Sequence, residues 1–301
     1  MQTKILFHIT LLLLLYPIDI QAQKADTVSI RKGRLFGVSA AAGVGYVGGM
    51  TGLYHLWYKD YDQSSFHTIN DNLAWLQVDK LGHTFSAYQL SRWTSTAFKW
   101  TELDNNRSAI IGASYGFLFL TTVEIFDGFS ANWGFSWGDV AANAIGTTLF
   151  LGQQLVWEEQ RIQFKFSYWP SEYAEYNAEV LGENFTQRVI KDYNGETFWL
   201  SVNPQSFSSS KKIFPKWLNI AVGYGATGMT NTYENLPGIY PDNPYNRTRQ
   251  FYLSLDIDLT KIKTNSEFLR LILEAANTLK IPFPTLEYNN VDGVKFHAIY
   301  F

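Results

Sequence analysis

Three pairs of polar residues stand at helical spacing in an otherwise charge-poor stretch. Asp79 and His83 are four apart, Glu124 and Asp127 three apart, and Asp139 and Asn143 four apart. Residues three or four apart share one face of a helix, so three helices can turn carboxylate, imidazole and amide groups toward one point. Carboxylates with a histidine at this spacing can ligate a metal from a bundle interior, which makes His83, Glu124 and Asp127 metal candidates. Asp79 can instead orient His83 as a general base. Glu124 and Asp127, buried together, would repel, and one pKa would rise. Lys80 or Arg92 supplies the neutralising charge.

The catalytic candidates are therefore His83, Asp79, Glu124, Asp127 and Asp139. The same residues have plainer readings. Ser136-Trp137-Gly138-Asp139 fits a capping box, so Asp139 can serve a helix start. The Glu124–Asp127 pair can lie at a helix end facing water. A buried network of Asp79, Lys80, His83, Glu124, Asp127, Ser136, Asp139 and Asn143 can also serve only to fix helix register. The sequence favours that organising role, in a structural or interaction component. The alternative is an envelope hydrolase or transferase, metal-assisted or acid–base, acting on lipid or cell-wall material. No sequence feature identifies a cofactor.

Composition narrows the setting. The chain has 301 residues, 46% hydrophobic and 17% charged, against roughly 25% charged in an average globular chain. Its 10 Trp, 18 Tyr and 22 Phe suit an apolar–polar boundary, where amphipathic rings are at home. The net charge of -3 shows no basic footprint, which argues against a nucleic-acid partner. The absence of cysteine removes disulfides, thiolate metal sites and cysteine nucleophiles from these residues. No G-x-S-x-G nucleophile elbow occurs. His55 and His67 lack a carboxylate at helical spacing.

The elements that must position the polar pairs follow from periodicity. Residues 1–22 read as a signal peptide, with Lys4, an apolar run to Tyr16 and a break at Pro17. Residues 34–158 read as a helical bundle, with helical stretches over 35–58, 72–100, 108–126 and 140–157. Gly45/Gly49 and Gly48/Gly52 form G-x-x-x-G pairs that let helices approach closely. Residues 160–301 form a β-rich region. Ile162, Phe164, Phe166 and Tyr168 alternate with polar residues, as do Phe251, Leu253, Leu255 and Ile257, the mark of strands with one apolar face. Four or five strands are expected, with a long loop over 230–249 and one amphipathic helix over 266–279, stopped by Pro282 and Pro284. The fold class is α+β: an N-terminal helical bundle followed by an antiparallel, membrane-associated β-rich region. Alternating segments with aromatic flanks resemble outer-membrane strands. The expected location is the periplasm or outer membrane, with the inner membrane as alternative. The expected partners are a membrane and other envelope proteins.

The ordered run Asp79-Lys80-Leu81-Gly82-His83, then Glu124-Ile125-Phe126-Asp127, then Ser136-Trp137-Gly138-Asp139 and Asn143 with Gly146 resembles a domain-of-unknown-function family of predicted periplasmic lipoproteins. It is also similar, more distantly, to the membrane domain of teicoplanin-resistance-type proteins. The resemblance covers residues 40–155. It implies an envelope location and a helical bundle, and no activity.

Overall fold

Four helices of 21 to 23 residues build the N-terminal half: α1 (Lys32–Leu53), α2 (Val78–Lys99), α3 (Asn105–Asp127) and α4 (Trp137–Trp157). The computed structural model describes residues 30–59, 61–208, 215–235 and 246–301. The signal-peptide segment 1–22 and residues 236–245 of the expected loop lie outside the described residues. Side-chain caps fix two helix starts. Asp104 accepts the Arg107 N–H at the start of α3, and Ser136 accepts the Asp139 N–H at the start of α4. Such caps contribute about 1 kcal/mol each.

Small residues let α2, α3 and α4 approach backbone to backbone. A Cβ on Gly112 would fall 2.3 Å from Ser91 O, one on Gly116 2.5 Å from Ser91 Oγ, and one on Gly146 2.0 Å from Thr84 O. Of the two glycine pairs in α1, Gly45 and Gly49 face Tyr115 and Phe119 of α3, whereas Gly48 and Gly52 face open space. Polar side chains are buried beside the apolar core of Val78, Tyr88, Ala113 and Phe150: Gln89, Arg92, Glu124, Asp139, Asn143 and Gln153 are all buried, while Phe36, Val44, Ile145 and Val156 point outward. Among the described residues, α3 is long and apolar enough to cross a membrane by length and composition, with a third of its most apolar window buried.

The second half is one six-stranded antiparallel sheet in chain order: β3 (Ile162–Tyr168), β4 (Glu196–Val202), β5 (Leu218–Thr227), β6 (Thr248–Ile257), β7 (Phe283–Asn289) and β8 (Gly293–Tyr300). A separate parallel pair joins β1 (Thr68–Ile69) to β2 (Phe135–Ser136). The six strands exceed the expected four or five. Pro282 and Pro284 read only as a helix stop, yet Pro284 lies in β7, at the register shift between Phe283 and Thr285. A bulge tolerates the missing N–H there. The sheet also curls onto itself. Phe166 N–H donates to Thr278 O and Lys280 N–H to Phe166 O, joining β3 to the segment that enters β7.

Register places most polar alternates on the inside of this curl. Leu200, Val222, Leu253, Leu286 and Phe296 share the outer face. Ser201, Asn219, Ser254, Asp256, Thr285 and Glu287 are buried. Across the interior Lys165 of β3 meets Asp256 of β6 at 2.7 Å, and both side chains are fully buried. Over β3 and β4 the apolar face packs on α2, with Phe85 against Phe164, Phe166 and Phe198. Over β5 to β8 it stays open, and Val294 and Phe296 are 71% and 68% exposed. The amphipathic helix α5 (Glu267–Ala276) is turned the same way. Its Glu274 pairs with Arg92 of α2 at 2.7 Å, while Phe268 and Leu271 are 72% and 63% exposed.

One interior cation makes this half pH-dependent. The Lys280 ammonium lies 4.6 Å from the Trp199 ring centroid and donates to Ile281 O. Burial pushes its pKa down to about 8, against the pull of Asp256. A base depressed in the folded state is protonated in both states below pH 8, where its burial cost is complete. Between about pH 8 and its ordinary pKa only the unfolded chain holds the proton, so stability rises with pH there. Urea unfolding of the wild type and Lys280→Met, compared between pH 7 and pH 10, isolates this contribution from the other shifted groups: the methionine variant should be the more stable protein at pH 7 and its advantage should shrink as pH rises.

Candidate functional site

The turn that launches α2 is strained. Trp75, Leu76 and Gln77 have φ of 49°, 51° and 71°, a left-handed region costly for residues with a Cβ. Surrounding contacts hold it. Trp75 N–H donates to Thr232 O, the Trp75 ring packs on Tyr193, and Tyr224 Oη donates to Leu76 O. The strained turn sets the start of α2, and with it the direction of Asp79, Lys80 and His83 one turn later.

Those three residues meet the other two pairs at one place. Lys80 Nζ lies 2.8 Å from Asp71, 3.0 Å from Asp79 and 2.8 Å from Asp139. His83 Nε2 lies 3.6 Å from Glu124 Oε1, 3.7 Å from Asp139 Oδ1 and 3.9 Å from Asp79 Oδ1. On the other side of the ring, Nδ1 faces Asn143 Oδ1 at 3.2 Å. Asp79, Asp139, Glu124, His83, Lys80 and Asn143 thus converge from α2, α3 and α4. Glu124 is only 1% exposed, so the plainer alternative, a helix end facing water, does not hold for it. Asp127 stands at the edge, where Tyr58 Oη donates to its Oδ1 at 2.7 Å.

The helix cap and the cluster are one construction. Ser136 accepts the Asp139 N–H and donates through Oγ to Asp71. In a capping box the third residue would accept the N-cap N–H. Here the Ser136 N–H goes to Glu124 Oε2 instead, which frees the Asp139 carboxylate to face Lys80. Arg92 does not neutralise the cluster as expected. It points to Gln89, Glu274 and Thr278 on the far side of α2. Lys80 neutralises Asp71, Asp79 and Asp139 rather than the Glu124–Asp127 pair.

Acid outnumbers base here, and the protonation equilibria follow. Burial, reinforced by the charges of Asp139 and Asp127, pushes Glu124 up to about 10. Burial pushes Asp127 up to about 7 against its Tyr58 hydrogen bond. Burial and the Asp79 charge raise Asp139 to about 6, with His83 and Lys80 pulling the other way. Burial also works against the Asp71 anion, but hydrogen bonds from Lys80 and Ser136 outweigh it and hold the carboxyl below its usual range. Lys80 stays above its ordinary value despite burial, because of Asp79 and Asp139.

Three participants carried no readable signal in the sequence. Asp71 sits in a loop, outside any helical spacing. Tyr58 reaches Asp127 from 69 residues away, and Tyr193 Oη donates to Asp79 Oδ1 across 114 residues.

The comparisons with known proteins bear on this same stretch. Residues 68–152 match the family model described as "Predicted periplasmic lipoprotein (DUF2279)". Comparison with curated proteins and with solved structures gives no match. The matched stretch runs from β1 into α4 and includes Asp71, Asp79, Lys80, His83, Glu124, Asp127, Ser136, Asp139 and Asn143. The segment that carries most of the acidic cluster is thus similar to a family described as predicted periplasmic lipoproteins.

Proposed function

We propose that this chain is a non-enzymatic scaffold component of the cell envelope, pinned internally by the acidic cluster and seated on lipid by its outer faces. The observation that carries the scaffold reading is the convergence on Lys80 and His83. Asp71 from the β1–α2 connection, Asp79, Glu124 and Asp139 from three helices, and Tyr193 from the segment before β4 all meet there. Such a network ties the helical half to the sheet half and fixes register.

The lipid reading rests on the reversed patterning. A soluble sheet buries its apolar face and wets the polar one. Here Val222, Leu253, Leu286 and Phe296 are exposed while Asn219, Ser254, Asp256 and Thr285 are buried. The α5 helix repeats the reversal with Phe268 outward and Glu274 inward. Contiguous exposed apolar surface of this extent marks an interaction site, and an amphipathic helix with its apolar face outward suits a lipid interface. Flotation with phosphatidylethanolamine/phosphatidylglycerol vesicles tests it. The wild-type chain, freed of detergent, should rise with the vesicles. Val222→Asp/Leu253→Asp/Phe296→Asp should abolish flotation, since three charges on a lipid face at on the order of 1–3 kcal/mol each weaken partitioning by about a hundredfold or more. Wild-type protein remaining in the bottom fraction would refute lipid seating.

One observation favours the hydrolase or transferase reading: the His83 and Asp79 side chains reach the surface beside a Glu124 oxygen that has no partner. Turnover of a lipid ester or a cell-wall fragment that His83→Ala abolishes would put that reading in place of the scaffold.

A further inference from the structure

The carboxylate oxygens around His83 are arranged for an ion rather than for one another. Glu124 Oε1 is buried with no hydrogen-bond partner, and so is Asn143 Nδ2. Glu124 Oε1 points at His83 Nε2 from 3.6 Å, beyond hydrogen-bond range. Asp79, His83 and Asp139 each offer a ligand atom, and these atoms all lie within 4.8 Å of one another. Ligands about 2.1 Å from a tetrahedral ion stand roughly 3.4 Å apart. The distances of 3.6, 3.7 and 3.9 Å from His83 Nε2 to the three carboxylates are slightly wider than that.

The imidazole is set for this role. Asn143 Oδ1 sits 3.2 Å from His83 Nδ1 and accepts a proton held there. That tautomer leaves a bare lone pair on Nε2, facing three carboxylate oxygens. The outward hydrogen bond from the far ring nitrogen is the usual way a ligating histidine is oriented. Lys80 does not fill the place, because its contacts run to Asp71, Asp79 Oδ2 and Asp139. The Asp139 oxygen that faces it has a second lone pair for an ion. Counting Asp71, Asp79 and Asp139 against Lys80 still leaves an excess of negative charge that a divalent ion would offset.

We infer that His83, Asp79, Asp139 and Glu124 form a binding site for a divalent transition-metal ion, with Asn143 as the positioning residue for the imidazole. One nitrogen and three oxygen donors suit Zn²⁺ or Mn²⁺ better than Ca²⁺ or a soft ion. The site rests on the scaffold reading and deepens it, since the ion would complete the network that joins the three helices.

The test uses the full chain, stripped with chelator and then dialysed against Zn²⁺ or Mn²⁺ alone. Elemental analysis should find about one equivalent per chain in the wild type, as a single preformed site requires. The exposed-acid control Asp292→Asn should match it. His83→Gln and Glu124→Gln should bind roughly tenfold more weakly or worse. Chelator should lower the Tm of the wild type and leave that of His83→Gln unchanged. Should the variants fail to fold, Co²⁺ added to stripped wild-type protein still reads the site, through intense visible absorption of a low-symmetry nitrogen–oxygen centre. No stoichiometric ion, no Tm shift and no Co²⁺ absorption in the wild type would overturn the inference. If Lys80→Met were still strongly destabilising in that case, the scaffold reading would stand without the metal. Stoichiometric ion beside an unaffected Lys80→Met would support the site and refute the scaffold.

Discussion

Replacing Lys80 by methionine should lower the unfolding free energy by about 3–5 kcal/mol, the usual cost of removing one partner from a buried ionic group. The side chain is 13% exposed and faces three carboxylates within 3.0 Å. Without the ammonium, Asp71, Asp79 and Asp139 repel one another in a site that water barely reaches. Protonation or rearrangement relieves part of this, so the lower end of the range applies at acidic pH. In a chain of this size the loss corresponds to a Tm fall of roughly 10 °C. Differential scanning calorimetry or circular dichroism melting of the two proteins in one detergent or lipid system measures it. An unchanged Tm would mean that the carboxylates are solvated and the cluster is incidental.

The second large effect lies in the sheet interior. Lys165→Met should cost about 3–5 kcal/mol as well, because it strands an uncompensated charge. Asp256 would keep the Ser201 hydroxyl at 2.6 Å and the Ile281 N–H at 3.1 Å, but lose its counter-ion at 2.7 Å. Ile257 O would also lose the Lys165 donor. Removing the charge on both sides should reverse most of this. Lys165→Met/Asp256→Asn is therefore expected within about 1–2 kcal/mol of the wild type, as paired replacements of buried ions often are. A double variant as unstable as the single one would show that Lys165 acts through packing rather than charge.

The sequence displayed the halves of the fold better than their orientation. Alternation over 161–168 and 250–259 gives β3 to within one residue and β6 to within two at each end, because period-2 patterning is a local property. The helices follow for the same reason, and the Ser136 cap marks the start of α4. Alternation cannot say which face of a strand turns inward. That depends on which long-range partners exist, and here Lys165 meets Asp256 across 91 positions. The cluster shows the same division. Asp79/His83 and Asp139/Asn143 were visible as one-face pairs, since helical spacing is read along the chain. Asp71, Tyr58 and Tyr193 enter only through tertiary approach. The close contacts of Gly112 and Gly116 carry the same G-x-x-x-G spacing as Gly45 and Gly49, yet α1 offered the more conspicuous glycines. Spacing marks where helices can approach, and packing decides where they do.

The meeting of the three helices at Lys80 is tested most directly by a double-mutant cycle between α2 and α4. Lys80→Met, Asp139→Asn and the double variant are unfolded under one condition, and the free energies compared. Contact between the two side chains predicts a coupling of at least about 1 kcal/mol, with the double variant less destabilised than the sum of the singles. Additivity within about 0.5 kcal/mol would contradict the 2.8 Å contact between these groups and with it the convergence of the cluster.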